Sequence, residues 1–250
     1  MTDINSVPQG MLQTEFIVRS YDVDIKKRAT LETIARYLQE AAWMHAENLN
    51  LGYDELGKDG LVWVLSRLSL KVHQFPRWAD NVHVRTWPRG ANGLMAMRDF
   101  EIFSSGGQLL ASAGSAWIIL DRKRGRPRRP DSHLSLIPVC PQKRAVPEDP
   151  SRVAKLDECP EYRSFSVQYC DIDMNGHVNN TRYIGWIMNL FSRRFHEQSS
   201  IHTLQVNYLA ECGWNDEVGA YLTRKDDTCS VSFIRKRDDT EIIRAEVGYS

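Results

Sequence analysis

Residues 165–180 read Phe165-Ser-Val-Gln-Tyr-Cys-Asp-Ile-Asp-Met-Asn-Gly-His-Val-Asn-Asn180, and the first part of this stretch occurs twice. Near the N-terminus the chain reads Phe16-Ile-Val-Arg-Ser-Tyr-Asp-Val-Asp-Ile, so Phe16, Val18, Asp22 and Asp24 meet Phe165, Val167, Asp171 and Asp173. Further matches keep the same order: Trp78-Ala-Asp-Asn-Val with Trp214-Asn-Asp-Glu-Val, Phe100 with Phe233, and Gln108-Leu-Leu-Ala-Ser with Glu241-Ile-Ile-Arg-Ala. The offset shrinks along the chain, as it does when connecting loops shorten in a second copy. Ordered agreement at several places predicts an internal duplication.

Each copy has the same succession of patterns. An alternating run comes first, Leu12–Tyr21 or Tyr162–Cys170. A helical stripe follows, with Leu31, Ile34, Ala35, Leu38, Ala41, Ala42 and His45 in the first copy and Tyr183, Ile184, Ile187, Leu190 and Phe191 in the second. Strand-like runs complete the unit: Trp63–Val72, Asn81–Trp87, Leu94–Phe103 and Gln108–Leu120, then Thr203–Leu209, Glu217–Thr223, Ser230–Arg235 and Glu241–Tyr249. Turn signals such as Ser104-Ser105-Gly106-Gly107 and Asp238-Asp239 stand where hairpins need them. One long helix over about five antiparallel strands is an α+β unit. The expected organisation is residues 1–120, a Pro- and Arg-rich linker over 121–161, and residues 162–250.

With 250 residues, 42% apolar and 26% charged, the chain can build two cores behind a soluble surface. Lysine plus arginine equals aspartate plus glutamate, 32 each, so no overall charge favours nucleic acid or membrane. No apolar run is long enough to span a bilayer. The N-terminus lacks the basic start and apolar stretch of a secretory signal. Five irregularly spaced cysteines, with no Cys-x-x-Cys, argue against a zinc site or disulfide framework and fit a reducing compartment. The expectation is a cytoplasmic protein without metal or cofactor.

The chemistry concentrates in residues 171–180. Asp171, Asp173, Asn175 and His177 recur at every second position, which in an extended segment would place all four on one face. The first copy keeps both aspartates as Asp22 and Asp24 but holds Lys26 and Arg28 where the second has Asn175 and His177. Phe75 and Pro76 stand where the second copy has Glu211 and Cys212. The aspartates therefore read first as turn or helix-entry residues, and Asn180 as an N-cap. Cys212 taken alone is a buried small residue. His45, His73 and His83 have no patterned partners. The first copy is therefore expected to be a structural partner, with the full polar set present once per chain.

The pattern Asp-x-Asn-x-His-Val-Asn-Asn-x-x-Tyr-Ile-Gly-Trp from Asp173 to Trp186 resembles that of plant and bacterial acyl-acyl-carrier-protein thioesterases. Glu211-Cys212-Gly213 after Tyr208-Leu209 is similar to a second signature of that family, and Trp117-Ile-Ile-Leu-Asp to the end of its first repeat. The resemblance implies a tandem (double) hot-dog fold, each half a long helix wrapped by a curved antiparallel sheet. It implies hydrolysis of fatty acyl-carrier-protein to free fatty acid, ending fatty-acid synthesis. Plant members carry a plastid transit peptide that this chain lacks, so the reading is a bacterial cytosolic enzyme.

The catalytic roles it implies fall on Asp173, Asn175, His177 and Glu211, with Cys212 adjacent. In one arrangement Glu211 or His177 is the base for a water that Asn175 and His177 position, and Asp173 orients His177 or Asn175. In the other, Cys212, His177 and Asn175 form a nucleophilic triad. In both, N–H groups of the second helix's first turn are suited to a developing oxyanion.

Arg122, Lys123, Arg124, Arg126, Arg128 and Arg129 read as a solvated linker or, more pointedly, as a docking site for the small acidic carrier protein and its acyl-phosphopantetheine, with Arg126, Arg128 and Arg129 as the contact residues. Acyl-coenzyme A hydrolysis and non-catalytic sensing of acyl thioesters remain alternatives. Nucleic-acid binding has only the basic run in its favour. A homodimer is left open, since a tandem repeat supplies internally the pairing that single units obtain by dimerising.

Overall fold

The computed structural model describes residues 7–157 and 159–250. It divides into two compact units between Pro150 and Ser151. The first contains β1 (Leu12–Ile17), α1 (Leu31–Asn48), α2 (Tyr53–Lys58), β2 (Leu61–Val72), β3 (Asn81–Asn92), β4 (Met95–Ser104), β5 (Leu109–Asp121), β6 (Arg126–Arg128) and α3 (Asp131–Leu134). Its strands are antiparallel in the order β1-β3-β4-β5-β2, with short β6 added along the end of β5.

Helix α1 begins where Thr30 Oγ1 accepts the Thr33 N–H at 3.1 Å, one of the donors a helix start leaves unmatched. Leu31, Ile34, Ala35, Leu38, Ala41, Ala42 and His45 are all buried, as their spacing predicts. Each buried Leu or Ile contributes about 1.5–3 kcal/mol. Tyr37 on the same helix stacks on Phe16 of β1 with ring centroids 4.6 Å apart.

The second unit contains β7 (Arg163–Ser166), α4 (Asn180–Met188), α5 (Arg193–Gln198), β8 (Ile201–Tyr208), β9 (Glu217–Lys225), β10 (Thr228–Arg235) and β11 (Thr240–Tyr249). Its order, β7-β9-β10-β11-β8, repeats that of the first unit, again antiparallel. Trp186 of α4 meets Phe165 of β7 edge-on at 4.8 Å, where the first unit has Tyr37 on Phe16. The single long helix expected here is two short ones. Leu190 and Phe191 are buried but lie past the end of α4, and Ser192 Oγ then accepts the Phe195 N–H at 3.2 Å to start α5. Among the described residues no helix is long and apolar enough to cross a membrane.

The duplication is written in backbone hydrogen bonds. Val18 N–H donates to Asp80 O and Val167 N–H to Asp216 O; Ala79 N–H returns to Val18 O and Asn215 N–H to Val167 O. Ala79 and Asn215 share the left-handed conformation, with φ of 71° and 65°. The β-bulges correspond too, at Ile102/Phe103 and at Phe233/Ile234. They shift one part of the sequence alignment. Ile102, not Phe100, is the counterpart of Phe233, and Leu110 answers Ile242 through matching bonds from His73 and Gln74 and from Leu209 and Ala210.

The segment read as a linker carries structure of its own. Asp121 pairs with Arg126 in the β5–β6 hairpin. Further on, Lys143 O accepts from Trp87 Nε1 at 3.0 Å and Ala145 N–H donates to Asp99 Oδ2 at 2.8 Å. Arg89 joins the buried Asp99 at 2.8 Å and also Asp149. Val146 packs so closely on Gly114 that a Cβ there would lie 2.9 Å from it, so the strap selects glycine. Residues 121–150 thus belong to the first unit. On the other side of the boundary, Asn207 of β8 binds Val153 N–H at 2.8 Å and Ser151 O at 3.0 Å.

Candidate active site

The site begins at a 3-10 turn, Tyr169–Asp171, that ends β7's run early. Asp171 is buried; its Oδ2 accepts the Gln168 N–H at 2.9 Å and its Oδ1 accepts Arg182 Nε and Nη2, both at 2.8 Å. This is the structural role its retention as Asp22 suggests, and Asp22 Oδ2 likewise accepts the Arg19 N–H at 2.9 Å.

Residues 171–177 are not an extended segment with four polar groups on one face. The chain reverses: Gly176 N–H donates to Asp173 O at 3.0 Å, and Asp173 N–H to His177 O at 2.9 Å. Ile172 then pairs with Val178 across the turn. Gly176 takes φ 81°, a conformation that suits glycine, and Asn175-Gly176 is itself a turn signal. Asp173 Oδ1 accepts the Asn175 N–H at 2.8 Å, so Asp173 shapes the turn that presents Asn175, exposed at its tip, and His177.

His177 emerges facing Glu211, which follows β8. His177 Nε2 lies 3.2 Å from Glu211 Oε2, with the two side chains 45% and 61% exposed. The backbones behind them are joined, since Val178 N–H donates to Cys212 O at 2.8 Å. Arg235 of β10 donates through Nη1 to Glu211 O and forks onto Asp238 at 3.0 and 2.8 Å. Sequence reasoning did not single out Arg235, because its partner sits across the sheet rather than nearby in the chain.

Cys212 is fully buried, its Sγ donating to Asp216 Oδ2 at 3.5 Å, an oxygen that also accepts the Gly213 N–H at 2.8 Å. Burial, and then the Asp216 carboxylate, push the thiol up to about 12. At neutral pH it is therefore a protonated thiol, not a thiolate. The helix cap falls on Asn179 rather than Asn180: Asn179 Oδ1 accepts Thr181 N–H at 2.9 Å and Thr181 Oγ1 at 2.8 Å. That takes one of the first-turn donors expected to face an oxyanion.

The first unit folds the same turn with other side chains. Asp24 N–H donates to Arg28 O, Lys27 N–H to Asp24 O, and Ala29 N–H to Pro76 O at 2.8 Å. Lys27 stands at φ 57° where the second unit has Gly176. Asp24 Oδ2 accepts Arg28 Nε at 3.2 Å and Nη2 at 3.0 Å, and the Arg28 guanidinium lies 4.8 Å from the Phe75 ring centre. Arg28 and Phe75 are thus in contact just as His177 and Glu211 are. Arg126, Arg128 and Arg129 are exposed on and just after β6, with Arg128 Nη2 3.5 Å from Asp121 Oδ2.

Two α+β units, each a helix on an antiparallel sheet of one shared order, define a tandem hot-dog protein. Family models agree and go further. The acyl-ACP thioesterase N-terminal domain matches residues 10–134 and the acyl-ACP thioesterase C-terminal domain residues 154–249. The chain belongs to the acyl-ACP thioesterase family. It is 30% identical over 227 residues to oleoyl-acyl carrier protein thioesterase 2, chloroplastic, of Arabidopsis thaliana, covering 84% of this chain and 62% of that protein. The chain therefore spans a little under two thirds of that relative's length. An acyl-ACP thioesterase from Bacteroides thetaiotaomicron superposes with TM-score 0.89 at 25% identity, over all of both chains. The 12:0-ACP thioesterase from Umbellularia californica shares the fold with TM-score 0.86 at 21% identity, over 98% of this chain and 99% of that one.

Proposed function

We propose that the chain hydrolyses fatty acyl thioesters of acyl carrier protein, releasing free fatty acid, with one active site in the second unit. The observation that carries the reading is the His177–Glu211 contact of 3.2 Å in a family whose named relatives are acyl-carrier-protein thioesterases. The pair acts as the base. Water adds through its oxygen to the thioester carbon as its proton passes to the pair, and the carbonyl oxygen becomes negative. The C–S bond then breaks, and the sulfur leaves as a thiolate that takes up a proton. Asn175, on the turn that Asp173 shapes, orients water or thioester. A thiolate leaves readily, so activating the water and stabilising the oxyanion matter most.

Direct attack by water is preferred over a Cys212 nucleophile because the Cys212 thiol is buried and bonded to Asp216. Cys212 serves as core beneath the loop that carries Glu211. The cytoplasmic assignment rests on five unpaired cysteines. The test is a hydrolysis assay over a series of acyl-carrier-protein chain lengths, with the same acyl groups on coenzyme A. Turnover on the carrier protein, abolished by His177→Ala, is expected. Tight binding of the acyl carrier without turnover would replace the enzyme reading with a sensor.

The carrier is proposed to dock on Arg126, Arg128 and Arg129, which project from a formed hairpin rather than a slack linker. Charge steering of this kind weakens with salt. Reversing the three charges should raise KM for carrier-bound substrate and spare small thioesters; an equal effect on both would reject the docking.

A further inference from the structure

Among the described residues, two hydrogen bonds tie the end of β8 and the loop after it, which bears Glu211, to the turn and helix bearing His177, apart from the contact of those side chains. The first, Val178 N–H to Cys212 O, has its equivalent in the first unit as Ala29 N–H to Pro76 O. It belongs to the fold. The second runs from the hydroxyl of Tyr208, the last residue of β8, to Asn180 O in the first turn of α4, at 3.2 Å. The first unit has no counterpart to this bond. The matching bonds of His73 and Gln74 with Leu209 and Ala210 align Val72 with Tyr208, and Val72 has no hydroxyl. Tyr183, whose ring meets Tyr208 at 6.1 Å, corresponds to Ile34, since the N-caps Thr30 and Asn179 align.

Val72 and Ile34 are buried, so an apolar side chain is sufficient at both places for this fold. Withdrawing a phenol from water costs free energy that packing alone does not require. The hydroxyls are present in the unit with the His–Glu pair and missing from the unit without it. Resting on the thioesterase reading, we infer that Tyr208 is a positioning residue, which holds the start of α4 in register with Glu211 through Asn180 O. A peptide unit is planar, so fixing that oxygen fixes the Asn180–Thr181 unit that opens the helix. Burial raises the Tyr208 hydroxyl above its ordinary range, so it stays a proton donor at any working pH. Tyr183 backs the Tyr208 ring.

The test compares Tyr208→Phe with wild type by kinetics, thermal melting and amide hydrogen exchange. Losing about 1 kcal/mol of alignment should lower kcat about fivefold, with KM and melting temperature unchanged. Exchange at the Thr181 amide should rise while the core strands stay protected. Unchanged kcat and exchange would overturn the inference, as would parallel losses of kcat and melting temperature. Tyr208→Val, which installs the first unit's residue, should reproduce the loss in kcat. If wild type hydrolyses no thioester, the thioesterase reading fails, while exchange at Thr181 still decides whether Tyr208 holds the helix start.

Discussion

In the first unit the turn after Asp24 brings Arg28 over Phe75, and in the second the same backbone brings His177 to Glu211. The turn bonds, the helix cap, the bulge and the strand-end link are common to both. The side chains that differ there include Asn175 for Lys26, His177 for Arg28, Glu211 for Phe75, Tyr183 for Ile34 and Tyr208 for Val72. The scaffold holds two positions in contact and is indifferent to whether the contact is a cation on an aromatic face or a base pair of side chains. Each unit thereby serves as a control for the other, separating what the fold needs from what the chemistry needs.

The comparison breaks most readily at the His–Glu pair. His177→Ala or Glu211→Ala should lower kcat/KM by on the order of 10²–10⁴-fold. The double variant should be little worse than the poorer single one, because the residues act together; additive losses would show that they do not.

A second prediction uses the long helix that only the first unit has. Burial, then the Arg98 guanidinium 3.0 Å from Nδ1, hold His45 down to about 4. The unfolded imidazole titrates near 6.5, so the unfolded chain binds more protons between these values. The contribution is complete above pH 6.5 and is lost as pH falls through about 4, on the order of 3 kcal/mol in all. Denaturant midpoints against pH should show this slope, and His45→Gln should flatten it.

Smaller effects sharpen the contrast. Cys212→Ala should cost about 1 kcal/mol of stability, with kcat within about twofold of wild type. If activity instead falls as far as in His177→Ala, the thiol is the nucleophile and the water mechanism is wrong. Arg28→Ala should remove about 0.5–1 kcal/mol of cation–π contact, read by chemical denaturation, and leave turnover alone.

Much of this was legible in the chain. The strand runs fall within a few residues of β1–β5 and β7–β11, and the α1 stripe is buried as its spacing predicts. The loss of Asn175, His177 and Glu211 from the first copy stands in the sequence itself, and so does the structural role of Asp171, retained as Asp22. The alternation of residues 171–177 has the period of an extended strand, but Asn175-Gly176 is a turn signal and the turn prevails. The helical stripe runs on through Leu190 and Phe191 because burial continues past the end of α4, while Ser192, the cap of α5, marks the break. Arg235 on Glu211 O and Tyr208 on Asn180 O join distant residues, and no local pattern announces such bonds.

The central claim is that one His–Glu pair, in the second unit alone, carries the hydrolysis. Its most direct test is kcat/KM for acyl-carrier-protein hydrolysis by His177→Ala and Arg28→Ala, measured side by side. The account predicts a loss of at least about a hundredfold for the first and less than about twofold for the second. Comparable losses in the two, or full activity in His177→Ala, would contradict it.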